Sequence, residues 1–141
     1  MPANHVESHL LNDPISSICP RVLQMVSVDA TLGEAIAKMV GKSVGAVLVS
    51  GSDGALVGIL TERDFLSRVA GAPDFAQRFV RDYMTSNPET VGASDPVALA
   101  LSKMDVGGYR HLPVMEEGWP VGVISVRDVL RHVLKICKDI E

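Results

Sequence analysis

The sequence predicts an α/β protein made of two copies of one β-α-β-β-α unit, packed about a pseudo-twofold axis through their small sheets. Three observations lead there. The stretches "GILTERD" (Gly58 to Asp64) and "GVISVRD" (Gly122 to Asp128) are near copies of one another in a chain of 141 residues. Their likeness extends outward: Val28 matches Val91, Ala35–Met39 matches Ala100–Met104, Val49 matches Val114 and Val57 matches Val121, a repeat of about sixty residues. Apolar residues make up 47% of the chain and aromatics only 4%, so the core is aliphatic, as α/β packing favours. A helix or sheet with one apolar face must bury it, and two copies of a unit can do so on each other.

Each unit spells its elements in the same order. Thr31 and Glu34 form a T-x-x-E capping box, after which Leu32, Ile36, Met39 and Val40 recur at helical spacing and predict a helix ending near Gly41. In the second unit Ser94 or Asp95 is the expected cap, Pro96 occupies the first turn, and Val97, Leu101 and Met104 supply the stripe. "GAVLV", "SGSDG" and "ALVGIL" then read as strand, turn and strand, as do "HLPV", "MEEGW" and "PVGVI". After each hairpin comes an amphipathic helix, carrying Phe65, Leu66 and Val69 in one copy and Val129, Leu130, Val133, Leu134 and Cys137 in the other. Approach segments "ISSICPRVLQMVSV" and "FAQRFVRDYMTSNPETV" each predict a short helix and a short extended piece. The expected boundaries are a polar N-terminal segment over 1–11, repeat one over 12–70, a linking approach segment over 71–87 and repeat two over 88–141.

Composition narrows the function. Thirteen basic residues against 17 acidic ones, without a basic block, give no footprint for nucleic acid. No apolar run reaches the roughly 18 to 20 residues that a bilayer span needs, and the first residues lack a signal-peptide pattern, so a cytoplasmic protein is expected. Cys19 and Cys137 lack CxxC spacing and read as buried free thiols in a reducing compartment. His5 and His9 are four apart, as metal ligands on a helix would be, but lack a third ligand; a solvated, frayed terminus is the competing reading. His132, near Arg131 and Lys135, reads as part of a solvated face, and Glu116 and Glu117 as turn residues. Trp119, at the turn's exit, either anchors an interface or covers the sheet. No nucleophile has a base at recognisable spacing, and there is no metal-ligand cluster or P-loop. Neither a catalytic residue, a metal nor a catalytic cofactor is expected.

The heptapeptides carry the sharpest functional question. Thr61 with Asp64, and Ser125 with Asp128, fit a capping box, worth ~1 kcal/mol without any ligand. Arg63 and Arg127 then fall at the second helical position, where the macrodipole disfavours a cation by a few tenths to ~1 kcal/mol. A cap alone leaves that choice, made twice, unexplained. A helix start bearing a hydroxyl and a guanidinium suits phosphate, and an adjacent carboxylate suits a ribose diol. Together these describe one face of a nucleotide.

The two "G-hydrophobic-hydrophobic-[ST]-x-R-D" segments in register, with "RHLPV" at 110–114, resemble a tandem pair of CBS domains, called a Bateman module. The likeness covers about residues 12 to 137. It implies an α/β pair with two clefts, each completed by the other repeat. The Asp64 cleft would use Thr61, Arg63, Arg81, Arg110 and His111, with Pro88 and Glu89 where backbone meets adenine. The Asp128 cleft would use Ser125, Arg127, Ser43, Val44, Gly45 and Ala46, with Met25 and Val26 near the base. Because "VGAVLV" lacks the basic residue and the proline of "YRHLPV", this second cleft is expected to be weaker, nucleoside-like or empty. The resemblance further implies a non-catalytic metabolite or energy sensor binding AMP, ADP, ATP or S-adenosylmethionine, a homodimer, and a separate effector protein. A structural dimerisation module with empty clefts is the alternative.

Overall fold

The computed structural model describes residues 2–20, 23–69, 71 and 73–140. Its elements run α1 (Pro2–Asn12), β1 (Met25–Ser27), α2 (Leu32–Lys42), β2 (Ala46–Ser50), β3 (Leu56–Thr61), α3 (Glu62–Asp64), β4 (Thr85–Ser86), β5 (Val91–Gly92), α4 (Val97–Gly107), β6 (His111–Glu116), β7 (Trp119–Ser125) and α5 (Val126–Ile140). The predicted β-α-β-β-α order is present twice, and the fold is mixed α/β with two small sheets.

The chain divides into two compact units that do not follow sequence order. One comprises residues 23–88; the other joins residues 1–22 to residues 89–141. In the first, the sheet order is β1-β2-β3-β4, with β1 parallel to β2 and the remaining pairs antiparallel. In the second it is β5-β6-β7, with β5 parallel to β6 and β6 antiparallel to β7. Register repeats faithfully: Gly58 lies opposite Val49 and Gly122 opposite Val114, and each hairpin has a bulge immediately afterwards. The second hairpin turns on Glu117 and Gly118, both with positive φ, as a two-residue type I′ turn requires.

The first unit buries Val26, Leu32, Ala35, Met39, Val47, Val49, Leu60 and Val80; the second buries Ile15, Val91, Val97, Ala100, Met104, Leu112, Val114, Ile124 and Val129. Thus Ile15, at the start of the stretch read as the first repeat, fills the core of the second unit, while Val80, in the segment leading to the second repeat, fills the core of the first. Short 3-10 turns at Ile15–Ser17 and Val80–Asp82 deliver these two side chains, each fully buried.

Several local expectations are corrected. The Thr31 cap forms, with Glu34 N donating to Thr31 Oγ1 at 3.2 Å, but Val40 is 74% exposed and outside the buried stripe. At α4 neither Ser94 nor Asp95 is the N-cap; Pro96 is, because Asp95 Oδ2 already accepts from Gly92 N at 2.7 Å. The helix after β3 is one α-turn followed by a π stretch over Phe65–Val69, whereas α5 runs 15 residues. Phe65 is half-buried but Leu66 is exposed; the side chain of Val69 lies outside the described residues. In α5 the inner positions Val129 and Ile136 are buried while Leu130 and Leu134 remain open. Cys19 is half-buried and Cys137 exposed, neither in a disulfide, so the expectation of two buried thiols fails for Cys137.

The N-terminal segment is helical rather than frayed. Asp13 caps the arrangement: its Oδ2 lies 2.8 Å from His9 Nδ1 and 2.8 Å from His132 Nε2. His132 is thus held against Asp13 and not on a solvated face. Burial pushes the Asp13 carboxyl up, but the hydrogen bonds and charges of His9 and His132 outweigh it and hold the group below the usual carboxylate range.

Candidate functional site

The repeated heptapeptides occupy the same place in each unit, where the second hairpin strand runs directly into a helix. In the first unit Thr61 ends β3 opposite Ala46, and Glu62 N donates to Gly45 O at 3.0 Å. Asp64 Oδ2 accepts from Thr61 N at 2.8 Å and from Thr61 Oγ1 at 3.1 Å. In the second unit His111 lies opposite Ser125, and Val126 N donates to Arg110 O at 3.0 Å. Asp128 Oδ2 accepts from Ser125 N at 2.8 Å and Ser125 Oγ at 2.9 Å, and Asp128 N donates back to Ser125 Oγ at 3.2 Å. The capping-box reading therefore holds in both copies.

The cap uses only part of each side chain. Thr61 Oγ1 and Ser125 Oγ each donate to Oδ2 of the aspartate three residues on. In each aspartate, Oδ2 closes the cap. Asp64 Oδ1 accepts no hydrogen bond from the described residues, and Asp128 Oδ1 faces Arg131 at 3.7 Å.

The basic residues separate into two groups. Arg63 and Arg127 sit second in their helices, exposed, as does Arg110 just ahead of β6; none has an ion-pair partner among the described residues. Arg81 differs, since its guanidinium pairs with Asp29 at 2.8 Å and lies over the Phe79 ring at 4.7 Å. Glu89 lies 3.5 Å from Lys103. The sheet registers put Arg110 and His111 beside the Ser125–Asp128 cap, and Ser43, Val44, Gly45 and Ala46 beside the Thr61–Asp64 cap, each within its own unit. Within its own unit, Arg110 stands at the strand end beside the Asp128 turn.

Ser43 adopts a left-handed conformation (φ 53°) that ends α2 and turns the chain into the loop before β2. Met25 and Val26 line a cleft of about 400 Å³ on the open edge of β1, together with Ser27, Asp29, Glu34 and Lys38. Pro88 closes the first unit and Glu89 opens the second stretch. Sequence reasoning missed the two lysines that reach the edge strands: Lys38 Nζ donates to Met25 O and Lys103 Nζ to Thr90 O, each at 2.7 Å. The signal was available in "AIAKM" and "ALSKM", which place a lysine at the same point of both repeats. It also missed why the motif begins with glycine. A Cβ on Gly58 would meet Met84 Sδ and lie 3.0 Å from Thr85 O, and one on Gly122 would lie 2.8 Å from Pro20 O, so each glycine admits an approach segment against the strand. Among the described residues no group of three or more His, Cys, Asp or Glu could hold a metal ion, and no helix is long and apolar enough to cross a membrane.

A hairpin strand ending in an aspartate-capped helix start, repeated in two α/β units, defines a tandem-repeat class of protein, and the comparisons identify its family. The CBS domain family model matches residues 15–71 and 80–135. The chain belongs to the CBS-domain family, with two domains in tandem. It is 32% identical over 123 residues to a 17.7 kDa protein of Acidianus ambivalens, covering 86% of this chain and 74% of that one. It is 34% identical to a CBS-domain containing protein of Agrobacterium tumefaciens, with a TM-score of 0.73 over 79% of this chain and 90% of that one. A CBS domain protein of Pyrobaculum aerophilum complexed with AMP aligns at 28% identity with a TM-score of 0.76, over 86% of this chain and 98% of that one. The chain spans only 18% of CBSCBSPB5, a CBS domain-containing protein of Arabidopsis thaliana to which it is 39% identical over 102 residues, 71% of this chain.

Proposed function

We propose that this protein is a non-catalytic regulatory module that binds an adenine nucleotide or related adenosyl ligand, such as AMP, ADP, ATP or S-adenosylmethionine, at the turns capped by Asp64 and Asp128. The carrying observation is the division of labour within each carboxylate. Oδ2 holds the helix start in place, and Oδ1, with two lone pairs, can accept from the vicinal hydroxyls of a ribose. Arg63, Arg110 and Arg127, exposed and unpaired among the described residues, are suited to phosphate. The AMP complex of the Pyrobaculum protein supports the choice of ligand class.

Binding would act by population shift, favouring one orientation of the repeats or of a dimer, by no more than the ligand's differential affinity for the two states. A separate effector protein would then read the change. The free thiols suit a reducing compartment such as the cytoplasm. Titration calorimetry with AMP, ADP, ATP and S-adenosylmethionine tests the reading. Saturable binding that weakens in Asp64→Asn or Asp128→Asn supports it, and no binding by the wild type across the panel refutes it.

A second reading rests on α5. Leu130 is 62% and Leu134 56% exposed, one turn apart, with Cys137 exposed on the turn after. Such a stripe suits a helix-to-helix homodimer interface, with or without a nucleotide.

A further inference from the structure

Two lysines perform the same task in the two repeats, and nothing in the nucleotide reading uses them. Lys38 Nζ donates to Met25 O and Lys103 Nζ to Thr90 O, both at 2.7 Å and both across 13 residues of chain. Each lysine precedes the buried methionine of its helix, Met39 or Met104, which seats the helix on its sheet. The Met25 carbonyl lies on β1, the edge strand of one sheet, and the Thr90 carbonyl lies one residue ahead of β5, the edge strand of the other.

The pairing pattern shows which backbone groups are left open. Leu48 N donates to Gln24 O and Val28 N donates to Ser50 O, so the groups of Met25, offset by one residue, face away from β2. Likewise Ala93 N donates to Met115 O, which leaves Thr90 facing away from β6. An edge strand of two or three residues is held by few ladder bonds and exposes its outer row. Ordering a lysine side chain carries an entropic cost, and the same geometry formed twice argues against an incidental surface contact. The charge-assisted bond ties the strand to the helix that follows it.

We infer that Lys38 and Lys103 are positioning residues that hold the β1 and β5 edges in the register from which backbone near Met25 and Thr90 meets the base of the ligand. The inference rests on the nucleotide reading above. At β1 the same edge forms the wall of the cleft that Lys38 and Glu34 close from the helix side. With the ammonium on one lone pair of its carbonyl, Met25 keeps its outward N–H as the backbone group that can donate to a ring nitrogen.

The test compares Lys38→Met and Lys103→Met with Lys38→Arg and Lys103→Arg, using AMP and GMP as probes in calorimetry and amide hydrogen exchange on the same proteins. Methionine keeps the apolar stem and removes the donor, whereas arginine restores a charged donor. The methionine variants are expected to lose about tenfold in AMP affinity, as removal of one charge-assisted bond allows. The AMP-to-GMP affinity ratio should fall toward one, with faster exchange confined to the strand edge and the preference regained in the arginine variants. A purely structural lysine would lower both affinities alike and leave the ratio unmoved, which overturns the inference. So does a wild type that binds both nucleotides equally. A wild type that binds no nucleotide instead refutes the nucleotide reading itself, so the two failures are distinct.

Discussion

Replacing Asp128 by asparagine and by alanine separates its two roles. In the structure Oδ2 accepts from Ser125 N at 2.8 Å and Ser125 Oγ at 2.9 Å, while Oδ1 points toward Arg131 at 3.7 Å. Alanine removes the two bonds that the carboxylate accepts and leaves Ser125 Oγ to accept from the backbone N–H of residue 128, a loss of ~1 kcal/mol, or about 2 to 4 °C in Tm for a chain near this size. Asparagine places its own carbonyl oxygen where Oδ2 was, so both cap bonds remain and the Tm loss is smaller. What asparagine changes is the outward atom, an acceptor in aspartate and an NH2 donor in its place. A hydrogen bond to a charged group contributes ~1.5–3 kcal/mol, so a ribose held by Oδ1 should bind roughly 10- to 100-fold more weakly in Asp128→Asn. Asp64→Asn follows the same logic at its own turn. The assay is titration calorimetry with AMP beside thermal unfolding of each variant. If both asparagine variants bind AMP as the wild type does, and affinity falls only in alanine variants in step with Tm, the carboxylates are caps and the diol assignment is refuted.

The remaining predictions follow from separate features. Gly58→Ala and Gly122→Ala should each destabilise by about 1–3 kcal/mol through overpacking, since the new Cβ lies 3.0 Å from Thr85 O or 2.8 Å from Pro20 O; unchanged urea midpoints would show that the approach segments yield. Asp13 has a folded-state pKa below its ordinary value, so its stabilising contribution is present above the unfolded pKa of about 3.9 and is lost as pH falls through the lower folded value. Asp13→Asn should therefore be less stable than the wild type at neutral pH, with the gap closing below about pH 4, as read from denaturation midpoints across pH. Leu134→Glu should shift sedimentation toward monomer if the exposed stripe of α5 is an interface, and an unchanged sedimentation profile would exclude that face.

The repeat, the order of elements and the cap chemistry were legible in the sequence because each is local. Thr31 with Glu34, and Thr61 with Asp64, declare themselves by spacing three apart, and the bonds form as that spacing allows. The second-position arginines were legible for the same reason. What the spacing did not reveal was which of several possible partners, distant or near, a polar group takes. His132 read as solvated because its partner, Asp13, lies 119 residues away. Nor did the sequence reveal that Arg81 pairs with Asp29, 52 residues away. The Ser94 or Asp95 cap failed because a nearby backbone N–H, that of Gly92, competes for the carboxylate.

From the sequence alone it follows that two equivalent hairpins each end in a capped helix start bearing an arginine and an aspartate. Helical and strand periodicity and capping are short-range, and they repeat wherever the residues repeat. Only the tertiary structure decided that Ile15 belongs to the core of the second repeat and Val80 to that of the first, because a buried isoleucine or valine carries no mark of which apolar face receives it. The same applies to the cap aspartates. Their identity announces a carboxylate at a helix start, but only the fold shows which oxygen closes the cap, Oδ2 in both copies.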